Sequence, residues 1–268
     1  MKTLTLSPSK IEISSLGLGC MSLPEDFSQT QKIIDAAISE GINFLDTADL
    51  YQKGLNEEMV GKAIKSRRAE VVIATKVGNQ LREDGSGWDW NPRKAYILQA
   101  VEKSLKRLQT DYIDLYQLHG GTIEDPWEET LEAFEILKDQ GKIRDFGISS
   151  IRPNVIRKVL TDSKPATVMM QYSPLDRRPE EEAFPLIEQT DETKVLVRGS
   201  FAKGMLIDKP EADYLDHSLE DVRAIKKVIH ESGYMPEAFL IKFGLSQKSV
   251  GSLIIGASSV AQVEKMSR

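Results

Sequence analysis

Residues 41–76 read GINFLDTADLYQKGLNEEMVGKAIKSRRAEVVIATK. The apolar run Ile42 to Leu45 ends at Asp46, and a second run, Val71 to Thr75, ends at Lys76. Between them Glu57 to Ile64 places Met59, Val60, Ala63 and Ile64 on one helical face. Strand, helix, strand in so short a span calls for a parallel sheet. The same alternation extends in both directions. Val/Ile/Leu-rich runs at 16–19, 112–118, 143–149, 167–172, 194–197 and 252–255 join those at 42–46 and 71–75, giving eight strand candidates. Gln29 to Glu40 carries Ile33, Ile34, Ala37 and Ile38 on one face and stops at Gly41. Pro92 opens a helix through Arg107 with Ile97, Leu98, Val101, Leu105 and Leu108 as its buried stripe. Trp127 to Gln140 buries Leu131, Phe134 and Leu137 or Ile136, and Pro153 begins the next helix. Eight such units favour an α/β fold closed as a (β/α)8 TIM barrel over an open doubly wound sheet, with residues 1–268 as a single domain. Thr3 to Leu6 and Ile11 to Ile13 read as an N-terminal β-hairpin capping the other end.

Composition narrows the partners. A chain of 268 residues, 40% hydrophobic, can bury a full core. The net charge of -6 argues against a nucleic-acid surface or an anionic membrane as partner. Cys20 is the only cysteine and the three histidines, 119, 217 and 230, are scattered, so no metal is expected. With no apolar leader and no run of about 18 apolar residues, a cytoplasmic protein is the expectation, monomeric or a weak homo-oligomer.

Four polar residues stand just past strand ends: Asp46, Tyr51, Lys76 and His119. Alone, the aspartate suits a turn cap, the tyrosine a packing role and the histidine a satisfied core position. An ammonium emerging from five apolar residues into a barrel mouth has no such purpose, and the four together read as an active site on the rim. A phenol titrates near 10 and donates poorly at neutral pH unless a cation stabilises the phenolate. Lys76 supplies that cation, Asp46 keeps it charged and aimed, and His119 hydrogen-bonds the oxygen that takes the proton. No side chain supplies a hydride. The long stretches 78–91 and 206–216 read as irregular rim loops, in which Trp88 and Trp90 either form a lid or pack the loop onto the barrel. Asp49, Trp88, Trp90 and Tyr172 are the expected substrate-pocket residues.

These motifs resemble the aldo-keto reductase superfamily, and in particular its bacterial NADPH-dependent members. The resemblance lies in Gly41 to Tyr51, Ala74-Thr75-Lys76, Asp111 to His119, Gly147-Ile-Ser149-Ser150, Met170-Gln171-Tyr172-Ser173 and Ile255-Gly256-Ala257-Ser258-Ser259, nearly the whole chain. It implies a nicotinamide-dependent carbonyl reductase in which Tyr51 donates the proton, Lys76 and Asp46 lower its pKa and His119 orients a small-molecule carbonyl. It also implies cofactor contacts. Gly19, Cys20 and Met21 would pass beside the nicotinamide ribose together with Asp46, while Ser149, Ser150 and Gln171 would hold the carboxamide. Arg198, Gly199, Ser200, Phe201, Ala202, Lys203 and Gly204 would wrap the pyrophosphate, and Gly256, Ser258, Ser259 and Gln262 would take the adenosine end. No acidic residue in 256–260 grips a free ribose hydroxyl, which tilts the cofactor toward NADPH/NADP+.

Three departures from the family pattern accompany it. Ser150 stands where many members have Asn. Arg198 stands where many place an aromatic ring on the nicotinamide, and a guanidinium there both stacks and repels an oxidised ring. Lys265-Met266 replaces a Glu-Asn pair, bringing Lys265 toward a 2'-phosphate. The resemblance also implies residues beyond Arg268, so a shortened C-terminal end is expected. A nicotinamide-binding redox sensor or regulatory subunit, and a barrel hydrolase or lyase using Asp46 and Asp49, are the alternative readings. Gly17-Leu-Gly19-Cys-Met-Ser22 lacks the third glycine of a Rossmann fingerprint.

Overall fold

The computed structural model describes residues 1–190 and 192–267. It opens with an antiparallel hairpin of β1 (Thr3–Leu6) and β2 (Ile11–Ser14), in which Leu6 faces Ile11. Then follow β3 (Leu16–Gly19), α1 (Phe27–Ser39), β4 (Phe44–Asp46), α2 (Leu55–Ile64) and β5 (Val72–Val77). A second hairpin, β6 (Asn79–Leu81) with β7 (Trp88–Trp90), precedes α3 (Lys94–Leu108) and β8 (Ile113–Leu118). The chain continues through α4 (Trp127–Asp139), β9 (Ile143–Ser149), α5 (Pro153–Asp162), β10 (Thr167–Gln171), α6 (Ala183–Glu188) and β11 (Lys194–Arg198). It ends with α7 (Leu219–Glu231), α8 (Pro236–Leu245), β12 (Val250–Gly256) and α9 (Val260–Ser267). Strands β3, β4, β5, β8, β9, β10, β11 and β12 pair in parallel in that order, and β12 returns to β3, closing the barrel.

Alternation along each strand divides two cores. Phe44, Val72, Ala74, Leu115, Met169, Leu196 and Ile254 point into the lumen, and Leu6, Ile11 and Ile13 of the N-terminal hairpin plug its lower end. The opposite parity, including Leu45, Ile73, Tyr116, Val168 and Met170, packs against the apolar stripes of the surrounding helices. Ile33, Ile34 and Ala37 of α1, Val101 of α3 and Phe134 of α4 belong to that outer layer.

Several sequence expectations change in detail; α2 begins at Leu55 rather than Glu57, and α3 begins at Lys94, after Pro92. Helix α1 begins at Phe27, ahead of Gln29, because the Asp26 side chain caps it by accepting from the Gln29 N–H at 2.8 Å. The stretch 78–91 is not irregular: Arg82 bridges Asp89 across the β6–β7 hairpin and Asn91 N–H closes it on the Gly78 carbonyl at 2.7 Å. No helix among the described residues is long and apolar enough to cross a membrane.

Candidate active site

Each of the eight barrel strands delivers a residue to one cavity of about 1100 Å³ at their C-terminal ends. Around the ring these are Gly19, Asp46, Lys76, His119, Ser149, Gln171, Arg198 and Gly256. Strand parity explains the side chains. Asp46 follows Phe44, Lys76 follows Val72 and Ala74, and His119 follows Leu115 and Gln117, each on the lumen side. Apolar groups dominate the lower lumen, with Asp145, Thr167 and Ser252 buried among them on the same parity, and the polar residues bordering the cavity gather at the rim.

Lys76 is 1% exposed and its ammonium has three partners: Asp46 Oδ2 at 2.7 Å, the Thr47 carbonyl at 2.7 Å and the Tyr51 hydroxyl at 3.3 Å. Burial works against the charge on Lys76, but Asp46 and Tyr51 outweigh it and hold the ammonium above its ordinary value. Burial pushes the Asp46 carboxyl up, against the pull of Lys76 and of Gln117, whose amide donates to Asp46 Oδ1 at 3.4 Å. For Tyr51 the balance differs from expectation. Burial raises the phenol, Lys76 pulls it down, and Asp46, expected to help lower it, pushes it up; the net shift is upward. The resting phenol therefore stays protonated, with the Lys76 ammonium placed beside its oxygen.

Tyr51 comes from the β4–α2 loop, which runs along the end of β5 through Thr47 N–H to the Ala74 carbonyl at 2.9 Å and Asp49 N–H to the Lys76 carbonyl at 3.4 Å. Immediately after it, Gln52 and Lys53 lie in the left-handed region at φ 49° and 55°. Non-glycine residues there cost on the order of 1 kcal/mol each. The ring edge of Tyr51 meets His119 with centroids 5.9 Å apart. Burial, with Lys76 and Arg198 adding to it, lowers His119 to about 3, so its ring is neutral. Its buried Nδ1 meets no acceptor among the described residues, which favours the tautomer with hydrogen on Nε2. Gly120 and Gly121 follow at φ 152° and 131°, backed by the rings of Trp90 and Trp127.

The cavity also borders Met21, Ser150, Gly199, Ser200, Phe201, Lys203, Gly204, Gln262 and Lys265. Four of the cofactor positions stand back from it. Cys20 turns its carbonyl to Asn56 and its thiol toward the Leu18 carbonyl, Ala202 is buried, and Ser258 and Ser259 cap α9 through Gln262. The Gln171 amide is already engaged: it donates to Asp176 and Tyr214 and accepts from Arg198 at 3.1 Å.

None of the four expected substrate-pocket residues borders this cavity. Tyr172 has the outward parity of Val168 and Met170; it is fully buried, stacked on Phe243, and its hydroxyl donates to Glu180 at 2.6 Å. Asp49 is buried within the β4–α2 loop, where burial and Glu57 push its carboxyl up to about 8 against the pull of Arg107. Trp88 is exposed on the hairpin. Trp90 donates from Nε1 to Asp125 at 3.0 Å and props Gly120 from outside, so the packing alternative holds for it. The cavity wall also includes Leu50, Ile151, Arg152, Lys209, Tyr214 and Glu237, which lie on loops or helix ends and carry no sequence signal of the site. Arg152 donates to the Gly121 carbonyl, tying the loops after β8 and β9 together.

Stability should carry the signature of the neutral imidazole. His119 titrates near 6.5 when unfolded and about 3 when folded, so below pH 6.5 the unfolded chain binds the extra proton. The stability of the wild type relative to His119→Leu is expected to fall by about 1.4 kcal/mol per pH unit below 6.5. Urea unfolding of both proteins from pH 7 to pH 5 checks this; parallel curves would show a solvated, ordinary histidine.

Comparison with known proteins agrees with this geometry. The profile of the aldo/keto reductase family matches residues 15–268. The chain is 48% identical to an uncharacterized oxidoreductase of Bacillus subtilis (strain 168), YqkF, over 99% of this chain and 90% of the relative. It is 28% identical to the aldo-keto reductase yakc [NADP(+)] of Schizosaccharomyces pombe, covering 94% of this chain and 82% of the relative. Among solved structures, the holo form of aldo-keto reductase AKR11C1 from Bacillus halodurans superposes with a TM-score of 0.95 at 49% identity, over 100% of this chain and 90% of that one. Fold, rim chemistry and relatives agree: the chain belongs to the aldo/keto reductase family.

Proposed function

We propose that this oxidoreductase reduces an aldehyde or ketone to an alcohol at the expense of NADPH, with Tyr51 as proton donor. The observation that carries the reading is the buried Lys76 ammonium joining Asp46 at 2.7 Å to the Tyr51 hydroxyl at 3.3 Å on the cavity floor. A dinucleotide fits the residues present. The cavity exceeds the roughly 300–1,000 Å³ of an ordinary small-molecule site, as two ligands require. Arg198, Lys203, Lys209 and Lys265 border it, and none of them pairs with a carboxylate among the described residues, although the chain as a whole is acidic. Ser200 Oγ is buried there without a partner among the described residues. These are donors for phosphate oxygens.

A bound reduced nicotinamide supplies the hydride for the carbonyl carbon. Tyr51 gives its phenolic proton to the carbonyl oxygen as negative charge develops on it. Lys76 stabilises the phenolate left behind, and Asp46 keeps the ammonium charged and in place. Neutral His119 directs an N–H at the same oxygen and so orients the carbonyl without competing for the proton. Loss of NADPH absorbance with 4-nitrobenzaldehyde tests the reading. Aldehyde-dependent oxidation supports it; tight NADPH binding without turnover would favour a nicotinamide-sensing role.

Arg198 bears on the cofactor's redox state. Its exposed guanidinium is braced by Gln171 Oε1 at 3.1 Å on the cavity wall. An oxidised nicotinamide ring held against it would meet like charge. NADPH is expected to bind more tightly than NADP+, by up to about fivefold for an exposed charge pair, with the gap closing in Arg198→Ala. Fluorescence titration of both cofactors checks this, and equal affinities in the wild type would count against it.

A further inference from the structure

Asn56 is fully buried in the first turn of α2 and does not line the active-site cavity, yet its amide is committed to three parts of the site. Oδ1 accepts from Thr47 Oγ1 at 2.6 Å. Nδ2 donates to the Cys20 carbonyl at 2.8 Å and to Gln52 Oε1 at 3.3 Å. Each partner adjoins a group that faces the cavity. The Thr47 carbonyl holds Lys76 Nζ at 2.7 Å, Cys20 follows Gly19 on the cavity floor, and Gln52 follows Tyr51. The other atom of the Gln52 amide is held too, since its Nε2 donates to the Leu23 carbonyl at 3.2 Å.

The strain beside Tyr51 gives this clamp its purpose. Gln52 and Lys53 occupy the left-handed region, which non-glycine residues keep only where the surroundings impose it. A Gln52 side chain bonded through both atoms of its terminal amide imposes it, and Asn56 is one of the two anchors. The chemistry of the position calls for an amide. The Thr47 hydroxyl needs an acceptor and the Cys20 carbonyl a donor in a space closed to water; an aspartate would lack the donor and an apolar residue would orphan all three partners.

We propose that Asn56, acting with Gln52, is a positioning residue for proton transfer: it fixes the phenol of Tyr51 against the ammonium of Lys76 and both against the floor at Gly19. The proposal rests on the reductase reading above. It makes no use of bulk stability, because the quantity it sets is the relative placement of two catalytic groups carried on different elements.

The test is a double-mutant cycle. A misplacement of about 1 Å costs on the order of 10²-fold in rate, so Asn56→Ala is expected to lower kcat by about that factor, and Gln52→Ala by about tenfold, with the NADPH dissociation constant unchanged. In a Tyr51→Phe background the same substitutions are expected to change the residual rate by less than about a factor of two, because the group they position is gone. An equal loss in both backgrounds, a loss confined to NADPH affinity, or wild-type kcat in both variants would overturn the proposal. Gln52 is half-buried and its truncation leaves the barrel core untouched, so the cycle with Gln52→Ala decides the matter should Asn56→Ala fail to fold. Wild-type turnover that is absent or indifferent to Tyr51→Phe would remove the reductase reading and this role with it. Turnover that depends on Tyr51 but not on Asn56 or Gln52 would remove only the positioning role.

Discussion

Tyr51→Phe is expected to lower kcat by about 10²–10⁴, the range that a positioned general acid contributes. The folded protein should barely notice the change. Among the described residues the phenolic oxygen bonds only Lys76, at 3.3 Å, and that ammonium keeps Asp46 and the Thr47 carbonyl as partners. No buried group is orphaned, so unfolding stability should stay within about 0.5 kcal/mol of wild type. NADPH affinity should also hold, since the deleted oxygen is one atom on the floor of a large cavity. Loss of rate with intact binding and folding is the pattern of an interaction made only in the transition state. The pH profile gives a second check. Burial and Asp46 hold the phenol above its ordinary value of 10, so the acid remains loaded across the neutral and mildly alkaline range. Neutral His119, lowered to about 3, adds no limb near 6.5. Steady-state kinetics from pH 6 to pH 9 should therefore give a flat wild-type kcat, and a limb near 6.5 would mean that the imidazole titrates in the working enzyme.

The barrel was legible because the signal for it is repeated: apolar runs of strand length alternate with one-sided helices from Leu16 to Gly256, and every barrel strand falls within one or two residues of its expected place. The rim chemistry was legible for a related reason. Charged groups at the ends of buried strands have few structural uses, so Asp46 and Lys76 stand out against their apolar neighbours. Tyr172 shows where position without parity misleads. It follows directly on the strand that Gln171 ends, but the one-residue step turns it outward into the helical layer, and the lumen positions Met169 and Gln171 already imply that. The same parity points to Gln117, two residues before His119, which meets Asp46 and was not singled out. Asn56 carried no local signal at all. Its partners Cys20, Thr47 and Gln52 come together only after β3, β4 and α2 have packed, and an asparagine near a helix start reads from sequence as an ordinary polar residue. Loop residues on the cavity wall, Arg152 and Lys209 among them, are placed by backbone conformations that obey no period.

Lys76→Met is expected to cost both turnover and stability, and the two losses can be separated. Removing the ammonium leaves Asp46, 5% exposed at its side chain, with only the long contact from Gln117, and leaves the Thr47 carbonyl without its donor. Breaking a buried ion pair from one side costs about 3–5 kcal/mol because a charge is left behind, which for a chain of this size lowers the melting temperature by roughly 10 °C. Asp46 is already held above its ordinary carboxylate value by burial, and without Lys76 it rises further. The folded variant then binds a proton that the unfolded chain, with Asp near 3.9, releases. Its stability accordingly increases as pH falls toward 4, and the deficit against wild type should narrow over that range. Asp46→Asn combined with Lys76→Met removes both charges and should recover most of the lost stability, since the surviving neutral pair demands far less desolvation. Turnover should not recover. On the proposed reading the ammonium stabilises the phenolate left when the proton is given up, and losing one such donor costs about 10²–10³ in kcat. Thermal melting and urea unfolding of the single and double variants, alongside NADPH oxidation, would reveal the split. Equal stability of single and double variants would mean that the Asp46–Lys76 pair is wet, and a wet pair could not hold the phenol as the rate demands.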